Sequence, residues 1–232
     1  MKRFNAQFLA HTQRVCRVKR ALCHLPLASA LFLGAPATAF AIEGNQALLS
    51  TAVVASLTGW GVACHQDKAP CAWHNPLQGQ RTLAFDIGQD ATLQNRALWL
   101  SADWPEMIDQ SGRWQLTGRW AINLQYWYSH ESDIKNDQGW VAGVTPVFRV
   151  HWQGRNGLSP YVEAGVGPQV ISDVWFENDN KSTQFQFSSL LGLGVRTQHY
   201  EFGYRFQHLS NNDIQTPNPD TDIHNLHFGV RF

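Results

Sequence analysis

From Thr82 to Phe232 apolar and polar residues alternate one by one, and many of the polar positions carry charge. Near the C-terminus Phe202, Tyr204 and Phe206 interleave with Glu201, Gly203, Arg205 and Gln207; Leu226, Phe228, Val230 and Phe232 interleave with Asn225, His227, Gly229 and Arg231. A period of two is the signature of a strand with two unlike faces. A soluble sheet would bury the apolar face, yet here the opposite face carries ions that a dry core rejects. The pattern therefore predicts the inverse arrangement, with apolar residues turned to lipid and polar residues to a lumen. Only a closed barrel lets strands cross a bilayer, because every backbone N–H and C=O must find a partner within the sheet.

The same alternation recurs around Leu83–Ile87, Leu98–Trp104, Trp114–Tyr128, Trp140–Trp152, Val162–Val166 and Phe185–Val195. With the two C-terminal segments this predicts an all-β, eight-stranded antiparallel transmembrane β-barrel over residues 81–232. Eight strands leave room for side chains and not for a pore. Asp86, Asp103, Arg119, Arg149, Glu163, Arg196, Glu201 and Arg205 are expected to meet in a filled polar lumen. Trp104, Trp114, Trp127, Tyr128, Trp140 and Trp152 fall at segment ends, where an interfacial girdle would sit. A lipocalin-type soluble barrel is the alternative; it would tolerate fewer exposed aromatics.

Residues 1–41 read as a secretory signal peptide. Lys2, Arg3, Arg14, Arg17, Lys19 and Arg20 form a basic start, Ala21–Ala35 is an apolar run, and Ala39-Phe40-Ala41 is a small-x-small cleavage pattern. An N-terminal anchor is the other reading of this segment. Cleavage near Ala41 leaves 191 residues with 12 Lys and Arg against 18 Asp and Glu, a net charge of −6 that argues against a nucleic-acid partner. Cys16 and Cys23 leave with the signal. Cys64 and Cys71 remain close together in an exported chain, which predicts a disulfide rather than a metal site or two free thiols. Residues 42–80 form an N-terminal extension of unclear structure: a periplasmic segment, a helix tucked against the barrel, or part of a longer signal.

Parity and loop lengths place the chemistry. Links after the fourth and sixth strands are short, that after the second (Pro105–Arg113) is longer than ideal, and those after the fifth and seventh (Ser172–Gln184, Asn211–Ile223) are long and polar, so on balance the latter are expected to be extracellular. His208 and Ser210 then continue the lipid-facing register at the outer end of strand seven. Asp222 shares that register at the start of strand eight. Serine becomes a nucleophile beside a base, usually His, which a carboxylate holds in the right tautomer. Asn211, next to Ser210, is a candidate oxyanion donor. Taken alone, a His-x-Ser pair is equally read as polar residues touching headgroups at a barrel rim.

The block from Arg205 to Asp222, with HLSN followed by PNPDTD, resembles the signature of the PagL-type lipid A 3-O-deacylase family: H-x-S-N, then P-N, then an acid. PVFRVHW at Pro146–Trp152 and PYVEAGVG at Pro160–Gly167 resemble that family's central strands. The resemblance runs from about Thr82 to Phe232. It implies an outer-membrane serine esterase that removes the 3-position acyl chain of lipid A, with His208 as base, Ser210 as nucleophile, Asp222 as orienting acid and Asn211 as oxyanion donor. It implies no metal and no organic cofactor. Two positions depart from the family pattern. Asp222 stands where Glu is usual, and Asn212-Asp213 stand where Ala-Gly is usual. A carboxylate at Asp213, where the family's glycine lines the oxyanion hole, predicts a weakened or rearranged hole.

His224 shares the outward parity and is a rival base, although an interfacial role fits it better. His227 and His151 point inward. The alternation ending at Phe232 resembles the handle read by the outer-membrane insertion machinery, and a second copy of the chain is a candidate partner. The alternative function is a non-catalytic small barrel for adhesion or envelope integrity. An acyltransferase drawing on phospholipid donors is a third reading.

Overall fold

The computed structural model describes residues 44–72, 75, 78–154 and 156–232. The expected signal over 1–41, with Cys16 and Cys23, lies outside the described residues. Among the described residues, eleven strands follow one helix, α1 (Gly44–His65). Eight of them form the wall: β1 (Arg81–Asp90), β2 (Leu93–Asp103), β4 (Trp114–Ser129), β5 (Gln138–Trp152), β6 (Ser159–Ile171), β9 (Phe185–Arg196), β10 (Tyr200–Ser210) and β11 (Thr221–Arg231). Each pairs antiparallel with its neighbours, and the ring closes where β1 meets β11. Short β3 (Asp109–Ser111) extends the β2–β4 link, and β7 (Trp175–Phe176) pairs β8 (Asp179–Asn180) in the β6–β9 loop.

The alternation falls as the period-two pattern predicts. Leu83, Phe85, Ile87, Leu98, Leu100, Ile122, Leu124, Phe202, Leu226, Phe228 and Val230 are exposed on the outer wall, while their odd or even partners are buried inside. Midway along the lumen, Arg119 and Arg149 each bridge Glu163 and Glu201 at 2.7–3.0 Å. Arg205 bonds Glu163 at 2.7 Å and Asp86 at 3.4 Å, and His227 joins Asp86 to Glu201. Near the chain-end rim Arg231 reaches Asp103 at 3.3 Å, and Arg196 lies against His151. Paired in this way, the charges escape the cost of isolated ions in a dry interior.

Three expectations change. The lumen is not polar throughout: Leu93, Trp127, Val141, Ile171, Phe176, Leu209 and Ile223 form an apolar plug at the loop-rich mouth, and Trp99 packs with Ala84, Ala97, Ala121, Val147 and Leu190 below it. Trp127 therefore belongs to that plug and not to the girdle, because its odd number in β4 turns it inward. Trp104 is covered too. Its ring lies against Gly118, where any Cβ would overlap it, and it makes edge contacts with Trp120 and Phe148. Trp114 with Trp152, Trp140 against Tyr126, and Tyr128 stacked on that same Tyr126 remain on the wall.

Candidate active site

Three side chains on the outer wall converge near the loop-rich rim. His208 is paired directly with Asp222 in the β10–β11 ladder, so their side chains leave the same face side by side. His208 Nδ1 lies 2.7 Å from Asp222 Oδ1, and His208 Nε2 lies 3.2 Å from Ser210 Oγ. A carboxylate can only accept, so Nδ1 carries the proton and Nε2 is left as the acceptor for the serine hydroxyl. His208 is buried, whereas Ser210 is partly open. The Asp222 backbone N–H donates to Asp90 Oδ2 at 3.1 Å, which ties the start of β11 to the end of β1.

His224 takes no part in this array. The Tyr204 hydroxyl bonds its Nδ1, and its ring packs against Phe206. His227 and His151 are buried inside the lumen.

Asn211 does a different job from the one expected of it. Its odd position turns it inward, fully buried, and its amide donates to Lys181 O at 3.0 Å and Gln215 O at 2.7 Å. Its backbone N–H donates to Asn218 Oδ1 at 2.8 Å. With these donors committed, Asn211 pins the loop and has none to offer an oxyanion. The next two residues differ. Ile214 N–H donates to Asn211 O across a tight turn in which Asn212 and Asp213 both have positive φ, 54° and 58°. Asn and Asp tolerate that backbone best among residues with a side chain, so the pair holds this turn with modest strain. The Asp213 carboxylate accepts from Asn218 Nδ2 at 3.0 Å. The backbone N–H groups of Asn212 and Asp213 carry no hydrogen bond among the described residues, leaving two donors immediately after Ser210.

The residue that sequence reasoning missed is Lys181. It is wholly buried in the β8–β9 link, and its Nζ donates to Pro219 O at 2.7 Å and Thr221 Oγ1 at 2.6 Å. The bonds hold the segment that leads into Asp222. Burial pulls its amine down to about 8, against the opposing pull of Asp179, Asp220, Asp90 and Asp222. Nothing in an aperiodic loop marks a lysine for this role. One potential cation cluster exists among the described residues: ligand atoms of His208, Asp220 and Asp222 lie within 4.8 Å of one another. A cation there would compete for the nitrogen that Asp222 already holds.

Over residues 95–231 the chain matches the family described as lipid A 3-O-deacylase (PagL). It is 32% identical over 166 residues to lipid A deacylase PagL of Bordetella bronchiseptica, covering 68% of this chain and 85% of that protein. Lipid A deacylase PagL of Pseudomonas aeruginosa is 25% identical over 184 residues, covering 79% of this chain and 97% of that protein. The crystal structure of the outer membrane enzyme PagL superposes with a TM-score of 0.58 at 23% identity, over 64% of this chain and 98% of that one, a likeness of fold. The chain thus belongs to the lipid A 3-O-deacylase (PagL) family.

Proposed function

We propose that this chain lies in the outer membrane and hydrolyses the ester at the 3-position of lipid A, using Ser210 as nucleophile, His208 as base and Asp222 as orienting acid. The observation that carries this reading is the in-line Asp222–His208–Ser210 array on the lipid-facing wall, at the rim with the long loops. An acyl chain held in a bilayer can meet Ser210 there without leaving the hydrocarbon.

Ser210 Oγ attacks the ester carbonyl as its proton passes to His208 Nε2, and Asp222 stabilises the imidazolium. The backbone N–H groups of Asn212 and Asp213 are the donors at hand for the oxyanion. As the tetrahedral species collapses, His208 returns the proton to the departing 3-position oxygen. Water then attacks the acyl-enzyme with His208 again as base, releasing the fatty acid. No step calls on a metal or organic cofactor. The exposed series Leu226, Phe228, Val230 and Phe232 supports a role as the insertion machinery's handle.

The test is to incubate the refolded protein and its Ser210→Ala variant with lipopolysaccharide and measure released 3-hydroxy fatty acid by mass spectrometry. Release by the wild type alone is expected; equal release from both would remove the triad assignment.

A further inference from the structure

The helix α1 lies on the outside of the barrel, packed on β5, β6 and β9. Ala52, Ser56, Gly59 and Ala63 recur at helical spacing on its buried face. Gly59 is pressed so close to the Phe148 ring that a Cβ there would lie 2.4 Å from it. Phe148 points outward from β5 yet is buried, with Trp60 and Trp104 packed on it at 6.4 and 5.4 Å between ring centres. Cys64, in the last turn of α1, is joined to Cys71 beyond the helix end, and Lys68 Nζ donates to Met107 O and Ile108 O in the β2–β4 link. That link is at the same rim as the chain-end pairing of Arg81 with Phe232, away from the triad.

The opposite face of α1 is apolar and open. Val54 is 63% and Leu57 66% exposed, as much as Leu193 (58%) on the neighbouring lipid-facing wall. Between Gly44 and His65 there is no Asp, Glu, Lys or Arg. Three of its four hydroxyls do not ask for water either: Thr51, Ser56 and Thr58 each donate to the carbonyl four residues back. A helix of 22 residues is ~33 Å long, close to the ~30 Å of a bilayer's hydrocarbon.

We propose that α1 is a bilayer-embedded helix docked on the outer wall of the barrel, its free face occupied by the hydrocarbon of the outer membrane. A helix lying in water along this wall would need a polar outer face; this one continues the apolar belt of the strands beside it. Three of its hydroxyls, those of Thr51, Ser56 and Thr58, are satisfied within the helix, as hydrocarbon favours.

A nitroxide spin label at Leu57→Cys, in the full chain refolded into phosphatidylcholine vesicles with the Cys64–Cys71 bond verified by mass, tests this by power-saturation EPR. The ratio of oxygen to nickel-chelate collisions should be several-fold above that of a label at Glu131→Cys in the β4–β5 loop and comparable to one at Leu193→Cys. High nickel access would overturn the proposal in favour of an aqueous helix. Low access to both reagents would overturn it in favour of a protein-covered face, such as a second copy of the chain. Val54→Cys, on the same face, gives an independent reading if the Leu57 variant fails to fold.

Discussion

Asp222 stands directly across the β10–β11 ladder from His208, and its Oδ1 lies 2.7 Å from His208 Nδ1. Directly opposed residues have Cβ atoms only ~5 Å apart, so an Asp spans the gap that a Glu at a less direct position would need its extra methylene to cross. Asp222→Asn keeps the shape but presents a group that can hold the imidazole in the wrong tautomer. Its rate of fatty-acid release should fall by roughly 10³-fold or more, as triads respond to such changes. Asp222→Glu should retain more activity than Asp222→Asn in the same assay; equal loss would show that the carboxylate's charge is not what His208 needs.

The wall, and the meeting of His208, Ser210 and Asp222 on its outer face, were legible in the sequence because lipid on one side and packed ions on the other enforce strict parity. Asp222, fourteen residues from His208, could be matched to it because both are even-numbered on strands whose outward faces were already known. Asn211 shows the same rule neglected. Being next to Ser210 in sequence, it has the opposite parity and turns inward, so adjacency to Ser210 was the wrong guide. Trp127 is a second case, since an aromatic at a strand end can serve the girdle or the lumen and only its odd number decides. Lys181 and Asn218 were out of reach: their bonds join loops some 7 to 40 residues apart, where no periodicity connects them.

The turn after Ser210 makes a prediction about Asp213. Positive φ at this position is easy for glycine and tolerable for Asp, but costs an alanine about 1 kcal/mol. Asp213→Gly should keep the fold and raise the hydrolysis rate modestly, by removing a carboxylate near the developing oxyanion. Asp213→Ala removes the same charge but should lower stability by that ~1 kcal/mol, seen as an earlier midpoint in urea. A rate unchanged in Asp213→Gly would mean that its bond to Asn218 keeps the charge from the reacting carbonyl.

Lys181 links the outer loops to pH. Its amine falls from an ordinary 10.5 to about 8 in the folded chain because burial penalises the charge. Below pH 8 both folded and unfolded chains hold the proton, and the folded state bears the full penalty. Between 8 and 10.5 the unfolded chain binds more protons, so stability rises with pH across this window. Relative to Lys181→Met, the wild type should gain roughly 2–3 kcal/mol between pH 7 and pH 10 in urea unfolding from vesicles. A flat difference would show that the lysine retains its charge through its oxygen partners.

The seat of α1 on the wall predicts the consequence of filling it. Gly59→Leu places a branched side chain where the Phe148 ring already lies, and neither the ring, held by Trp104, nor the helix backbone has room to yield. The helix must lift from the barrel. A spin label at Ser56→Cys, on the buried face, should be immobile in the otherwise native chain and become mobile when Gly59→Leu is added. The barrel itself should still fold, because its ring of eight strands closes without the helix. Heat-modifiable migration on gels, the usual sign of a closed barrel, should therefore survive in Gly59→Leu. Loss of that migration would mean that α1 contributes to closing the wall, whereas an immobile label would show that the helix can slide along it to a second seat.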